Sequence, residues 1–195
     1  MSWSTLLLAL LLIADPQALR ATSHPELGAN YAAPAGVGHQ LIGTRAPEWM
    51  VSEWLDGQTR TLASLRGKVL LVRWWTAPGC PYCAASAEGI DDLRRKYRGR
   101  GLEVIGMYHH KAPSPLTREH VASQARRLGF DFPVAIDADW KTLRHWWLDR
   151  QDRGWTSVTF VIDREGVIRQ VHPGGAFFPG EPGFKALEEA IHAAL

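Results

Sequence analysis

The sequence predicts an α/β domain: a central mixed sheet flanked by helices, with an N-terminal hairpin extension. Three observations point there. Residues 68–75 (KVLLVRWW) form an apolar run broken only by Arg73, as in a strand buried on both faces. From there to the C-terminus, segments of strand length alternate with segments of helical period. The last two strand-like segments, 157–163 and 167–172, flank a turn at Arg164-Glu165-Gly166 and read as an antiparallel pair.

Each element has a local reason. Residues 53–59 (EWLDGQT) place an Asp-Gly turn between two short extended pieces, a hairpin signal. After 68–75, residues 81–98 have helical period, with Ala84, Ala87, Ile90 and Tyr97 near one face. Gly99 and Gly101 end that helix, and 101–108 (GLEVIGMY) is the next strand. Thr117 is the natural N-cap for a helix that turns Val121, Ala125 and Leu128 inward and stops at Gly129. Residues 133–137 (PVAID) form a short strand. Asp139 is placed to cap a helix with Trp140, Leu143 and Trp147 on one face. Phe184, Leu187, Ile191 and Leu195 give a final amphipathic helix.

Composition narrows the function. The chain has 195 residues, 46% hydrophobic and 22% charged, enough for one packed domain with an extension. Lysine plus arginine total 22 against 20 acidic residues, a formal net charge of +2. No run of five or six like charges occurs, so no nucleic-acid partner is expected. Two cysteines rule out a disulfide-framework mini-protein and an all-cysteine zinc site. The nine tryptophans, Trp140, Trp146 and Trp147 among them, are assigned to packing first.

Residues 6–14 (LLLALLLIA) are unbroken apolar sequence, far short of the roughly 20 residues of a membrane-spanning helix. With Asp15-Pro16 behind it, the run fits the core of a secretory signal, although Met1-Ser2-Trp3-Ser4-Thr5 carries no Lys or Arg. Ala21-Thr22-Ser23 is the best cleavage match. The expected division is a signal peptide or short anchor over 1–21, a linker over 22–45 and a domain over 46–195. That places the product in the periplasm or otherwise outside the cytoplasm.

The chemistry concentrates in Cys80-Pro81-Tyr82-Cys83, a C-x-x-C that follows a strand and opens a helix. A cysteine at a helix N-terminus meets unpaired N–H groups and the positive end of the dipole, which stabilise a thiolate. A second cysteine three residues on can attack a mixed disulfide and release the substrate. Pro81 needs no donor at the first helical position. Pro81 and Tyr82, between the sulfurs, tune their potential. The motif therefore reads as a redox dithiol, with half of a metal site and an inert disulfide as the alternatives. No metal and no organic cofactor is expected; the reactive group is the Cys80–Cys83 disulfide.

On these residues the chain resembles a family. Residues 59–175 look like the thioredoxin-fold redoxins of the TlpA/ResA type, exported thiol–disulfide oxidoreductases of the bacterial envelope. The matching stretches are SLRGKVLLVRWW, GLEVIGMY and SVTFVIDREGVIRQVHPGG. The local string WTAPGCPYC, residues 75–83, is similar to a glutaredoxin active site. The resemblance implies Cys80 as nucleophile and Cys83 as resolving thiol. It also implies protein or small-thiol disulfides as substrates and a membrane electron donor or acceptor. Two alternatives stand beside it: an envelope copper-binding chaperone using the dithiol with a histidine, and a peroxiredoxin-like peroxidase.

The chain departs from the family twice. Gly79 stands where a tryptophan usually precedes the first cysteine, and Ser157 stands where a cis-proline faces the dithiol. A cis bond before a non-proline residue costs about 2.5–4 kcal/mol, so the Thr156–Ser157 bond is expected to be trans. Ser157 is expected near both cysteines, its hydroxyl donating to the Cys80 thiolate; alternatively it only continues the strand. Trp74 and Trp75 should face opposite ways, with Trp75 bordering the dithiol. His109 and His110 follow a strand at the carboxyl edge of the sheet, where one of them could shuttle a proton. His172 reads as structural. Arg73 either sits at a strand end or pairs with a carboxylate such as Asp137. No strand-borne acid occupies the place where thioredoxins keep a buried aspartate, which leaves the proton acceptor unassigned.

Overall fold

A computed structural model describes residue 27 and residues 36–51, 53–149, 154–174 and 176–195. The signal expected over 1–21 lies outside them, as do 22–26 and 28–35 of the expected linker. Among the described residues no helix is long and apolar enough to cross a membrane.

The strands are β1 (Glu53–Trp54), β2 (Val69–Trp75), β3 (Leu102–Tyr108), β4 (Val134–Ile136), β5 (Val158–Ile162) and β6 (Ile168–Pro173). The helices are α1 (Pro81–Tyr97), α2 (Arg118–Arg127), α3 (Lys141–Leu143) and α4 (Pro182–Ala194). A π-helical turn, Arg144–Leu148, continues α3. One six-stranded sheet runs in the order β1-β4-β3-β2-β5-β6. Strands β2, β3 and β4 are parallel, while β5, β6 and β1 run antiparallel to their neighbours. All seven residues of β2 are buried, which is why it reads as an apolar run.

The pleat of β2 divides the core. Val69, Leu71 and Trp75 face the layer of α1, α2 and α4, where Ile90, Leu93, Val121, Phe184 and Leu187 pack. Leu70, Val72 and Trp74 face the other way, against Trp49, Trp54, Leu143, Trp146 and Trp147. Tryptophans dominate that second layer. The ring of Trp146 lies 5.2 Å from Trp74 and 5.4 Å from Phe160, and Trp49 lies 5.7 Å from Trp54. Helix α3 and its π turn thus cover one face, and three helices cover the other.

Three expectations are corrected. The Asp-Gly turn forms, with Gly57 N–H donating to the Trp54 carbonyl at 3.0 Å, but no hairpin extension does. Strand β1 instead pairs with β4, Glu53 opposite Ile136 and Trp54 opposite Ala135. A lone two-stranded hairpin is marginal in water, whereas addition to the β4 edge buries Trp54 to 4% exposure. Helix α1 leaves Ala84 exposed and turns Cys83, Ser86, Ile90, Leu93 and Tyr97 inward. Because the helix begins at Pro81, Cys83 faces the sheet and starts the inward stripe. Asp139 does not cap α3; it pairs with Lys141 at the surface, 3.2 Å away. The cap is Asp137, whose carboxylate accepts from the N–H groups of Thr142 and Leu143 at 3.1 and 2.8 Å. The helix starts only at Lys141, after Trp140 in left-handed backbone at φ 59°, which leaves Asp137 the acid within reach.

Thr117 caps α2 as expected, accepting from His120 N–H at 3.1 Å, and Gly129 closes that segment at φ 73°.

Candidate active site

Strand β2 ends at Trp75, and the chain turns through Gly79, at φ 87°, to deliver Cys80 to the start of α1. The positive φ explains a glycine immediately before the cysteine. Cys80 is the N-cap of α1: its sulfur accepts from Cys83 N–H at 3.1 Å, and Pro81 takes the first helical position. Cys80 and Cys83 are joined as a disulfide, with Cα atoms 5.3 Å apart. The two sulfurs have unequal surroundings. Cys80 is half-buried at the surface, while Cys83 is 2% exposed and packs into the α1 side of the core.

A cavity of about 430 Å³ opens beside the disulfide, lined among others by Cys80, Pro81, Tyr82, Lys111, Trp155 and Ser157. Lys111 brings a cation to its rim and donates to Thr156 Oγ1 at 3.2 Å. The cis peptide bond among the described residues is Ala77–Pro78, so Thr156–Ser157 is trans. Ser157 does sit at the dithiol, but against the inner sulfur: its Oγ lies 3.5 Å from Cys83 Sγ. The hydroxyl expected at Cys80 thus meets Cys83, because β5 enters the sheet beneath α1, on the side to which Cys83 points.

Of the other residues singled out in the sequence, Trp74 and Trp75 face opposite layers. Trp75 is wholly buried between Tyr108 and Phe130, in the cluster that holds Cys83, and does not line the cavity. His109 and His110 are not brought to the dithiol cavity either. His109 is 0% exposed, edge-on to Trp140, and neither ring nitrogen has a hydrogen-bond partner. Burial, helped by the charges of Lys111 and Arg73, pushes its pKa down to about 3, so the ring is neutral. His110 is held between the Tyr108 hydroxyl at 3.0 Å and the Ser114 carbonyl at 2.6 Å. His172 lies edge-on to Phe177, and burial with the charge of Arg73 pushes it down to about 3 as well.

Arg73 is neither at a strand end nor placed on Asp137. It is in the middle of β2, 1% exposed, and points into the α1 layer. Its guanidinium donates to Thr159 Oγ1 at 3.0 Å and to Ser86 Oγ at 3.3 Å. Asp137 lies in the opposite layer, accepting from Trp74 Nε1 at 3.3 Å. Sequence reasoning missed Lys111 at the cavity, since nothing local marks a residue in the loop between β3 and α2 as a neighbour of the motif; Trp155 and Thr156 arrive there with Ser157, whose placement was expected. For Arg73 the charge inside an apolar strand was the visible signal, but its partners were not.

Among the described residues no group of three or more His, Cys, Asp or Glu side chains is placed to hold a metal ion. The fold and the disulfide at the helix start define a thioredoxin-fold protein with a C-x-x-C pair. More particularly, the chain belongs to the AhpC/TSA family, whose model matches residues 42–171. Among curated relatives, Protein DipZ of Mycobacterium bovis is 31% identical over 127 residues, covering 64% of this chain. The chain spans only 17% of the length of DipZ. The thiol:disulfide interchange protein DsbE of Allochromatium vinosum is 31% identical over 143 residues, covering 72% of this chain and 71% of DsbE. Among solved structures, a DsbE-type protein from Chlorobium tepidum superposes with a TM-score of 0.63 at 22% identity, covering 78% of this chain and 96% of that one. The redoxin resemblance read from the sequence is borne out.

Proposed function

We propose that this chain is a thiol–disulfide oxidoreductase of the cell envelope, with Cys80 as nucleophile and Cys83 as resolving thiol. The observation that carries the reading is the asymmetry of the pair: a half-buried sulfur at the helix N-terminus backed by a buried one. The Cys80 thiolate attacks one sulfur of a substrate disulfide, forms a mixed disulfide and expels the other sulfur as a thiolate. Cys83, as thiolate, then attacks Cys80 Sγ, closes the Cys80–Cys83 disulfide and releases the second substrate thiol. The substrate gains two electrons and two protons, and the protein loses them; the reverse sequence oxidises a dithiol. The disulfide is itself the electron carrier, so the reaction needs no organic cofactor. Its substrates are protein or small-thiol disulfides that meet Cys80 at the cavity beside it, and a membrane donor or acceptor recharges the pair. Relatives named as thiol:disulfide interchange proteins support the reading. The apolar run at 6–14 supports export.

Substitution of each cysteine tests the roles. Cys83→Ser should accumulate mixed disulfides on non-reducing gels, and Cys80→Ser should accumulate none; equal trapping by both would overturn the assignment. Residues 1–30 fused to a reporter active only outside the cytoplasm should give signal. A well-expressed but silent fusion would refute export.

A further inference from the structure

A buried arginine ties together the two walls around the inner sulfur. Arg73 donates to Ser86, which is on α1 one helical turn (~5 Å) beyond Cys83. It also donates to Thr159, two residues along β5 from Ser157 and on the same face of the strand. Ser157 in turn meets Cys83 Sγ at 3.5 Å. Ser86 passes the connection on: its hydroxyl donates to the Tyr82 carbonyl at 2.8 Å and accepts from Phe177 N–H at 3.3 Å. The Phe177 ring lies 5.3 Å from the guanidinium carbon.

The titratable groups near this layer are His172, Glu181 and Lys111, and the charge of Arg73 also reaches the neutral His109. From β6, His172 stands opposite Thr159 and is neutral. Glu181, before α4, is engaged in capping that helix through Phe184 N–H at 3.1 Å. Lys111 is at the cavity rim, and Asp137 faces the opposite layer. No carboxylate among the described residues hydrogen-bonds to Ser157 or to either sulfur.

We propose that Arg73 is a positioning residue for the dithiol: it fixes the α1 and β5 walls through Ser86 and Thr159, and its charge stabilises the Cys83 thiolate. This rests on the oxidoreductase reading for its purpose, but not for its measurement. A cation held at Ser86, one turn of α1 from Cys83, favours the anion of the reduced form and does little for the neutral disulfide. Arg73 therefore shifts the Cys80–Cys83 couple toward the dithiol, which makes the protein a stronger oxidant.

The test equilibrates the full chain with reduced and oxidised glutathione and reads the dithiol fraction by gel shift. Ultraviolet thiolate absorbance of the Cys80→Ser protein, titrated with pH, reads Cys83 directly. Arg73→Met should move the equilibrium by up to tenfold toward the disulfide, a limit of about 30 mV more reducing that is reached once the pH exceeds the Cys83 pKa. It should also move the Cys83 titration up by about one pH unit. Arg73→Lys should recover most of both shifts. Arg73→Gln keeps a polar amide in the pocket without the charge, so it carries the test if the methionine variant fails to fold. An unchanged equilibrium and titration in a folded neutral variant would overturn the proposal. So would an Arg73→Lys protein as displaced as the neutral ones. Both readouts are properties of the dithiol itself and stand even if no substrate is ever turned over.

Discussion

Ser157 Oγ lies 3.5 Å from Cys83 Sγ, so the hydroxyl at the head of β5 serves the buried sulfur. In the reduced protein it can donate to the Cys83 thiolate. A hydrogen bond to a charged group contributes about 1.5–3 kcal/mol. Ser157→Ala should raise the Cys83 pKa by about one unit and slow closure of the mixed disulfide, while moving the Cys80 titration less. Thiolate absorbance of the two single-cysteine proteins checks this; a larger change at Cys80 would contradict it.

Asp137 acts in the opposite layer, so its loss should register as instability alone. Asp137→Ala removes the cap on Thr142 and Leu143 and leaves Trp74 Nε1 buried without its partner. Together these should cost about 2–4 kcal/mol in urea unfolding. The potential of the Cys80–Cys83 couple in the same variant should match the parent.

Acid should weaken the fold partly through His109. Its folded pKa of about 3 lies below the ordinary 6.5, so the unfolded chain binds the proton first as pH falls. The sign follows: stability is full above about pH 6.5 and declines as pH drops toward 3. Between pH 7 and 5 this one ring should account for about 2 kcal/mol. His109→Gln should lose less stability than the parent over that interval, measured as the difference in urea midpoints; equal losses would show that His109 does not contribute.

Gly79 approaches Cys80 at φ 87° with open space where a Cβ would stand. Gly79→Ala therefore meets backbone strain and no clash, about 1–2 kcal/mol. Thermal unfolding should fall accordingly. Gly79→Asn should fall less, because asparagine tolerates this backbone better.

The sequence alone determined what depends on short-range pattern. The apolar run of β2 with its single Arg73, the helical period of α2 and α4, the Thr117 cap and the C-x-x-C at a strand-to-helix junction are all legible within a few residues. Those signals set the fold class and placed the reactive sulfurs. Tertiary structure decided which distant residues meet. Ser157 joins Cys83 across 74 residues, and Arg73 joins Thr159 across 86. Both contacts depend on β5 lying antiparallel beside β2, and β1 on an edge of β4 that local pairing could not reveal. Periodicity says that a strand is buried on both faces; it does not say what each face touches. The surroundings of Cys83, and the choice of Asp137 over Asp139 as a cap, follow from how the sheet is ordered and where the helices start on it, because a hydrogen bond needs its partner within about 3 Å wherever that partner lies along the chain.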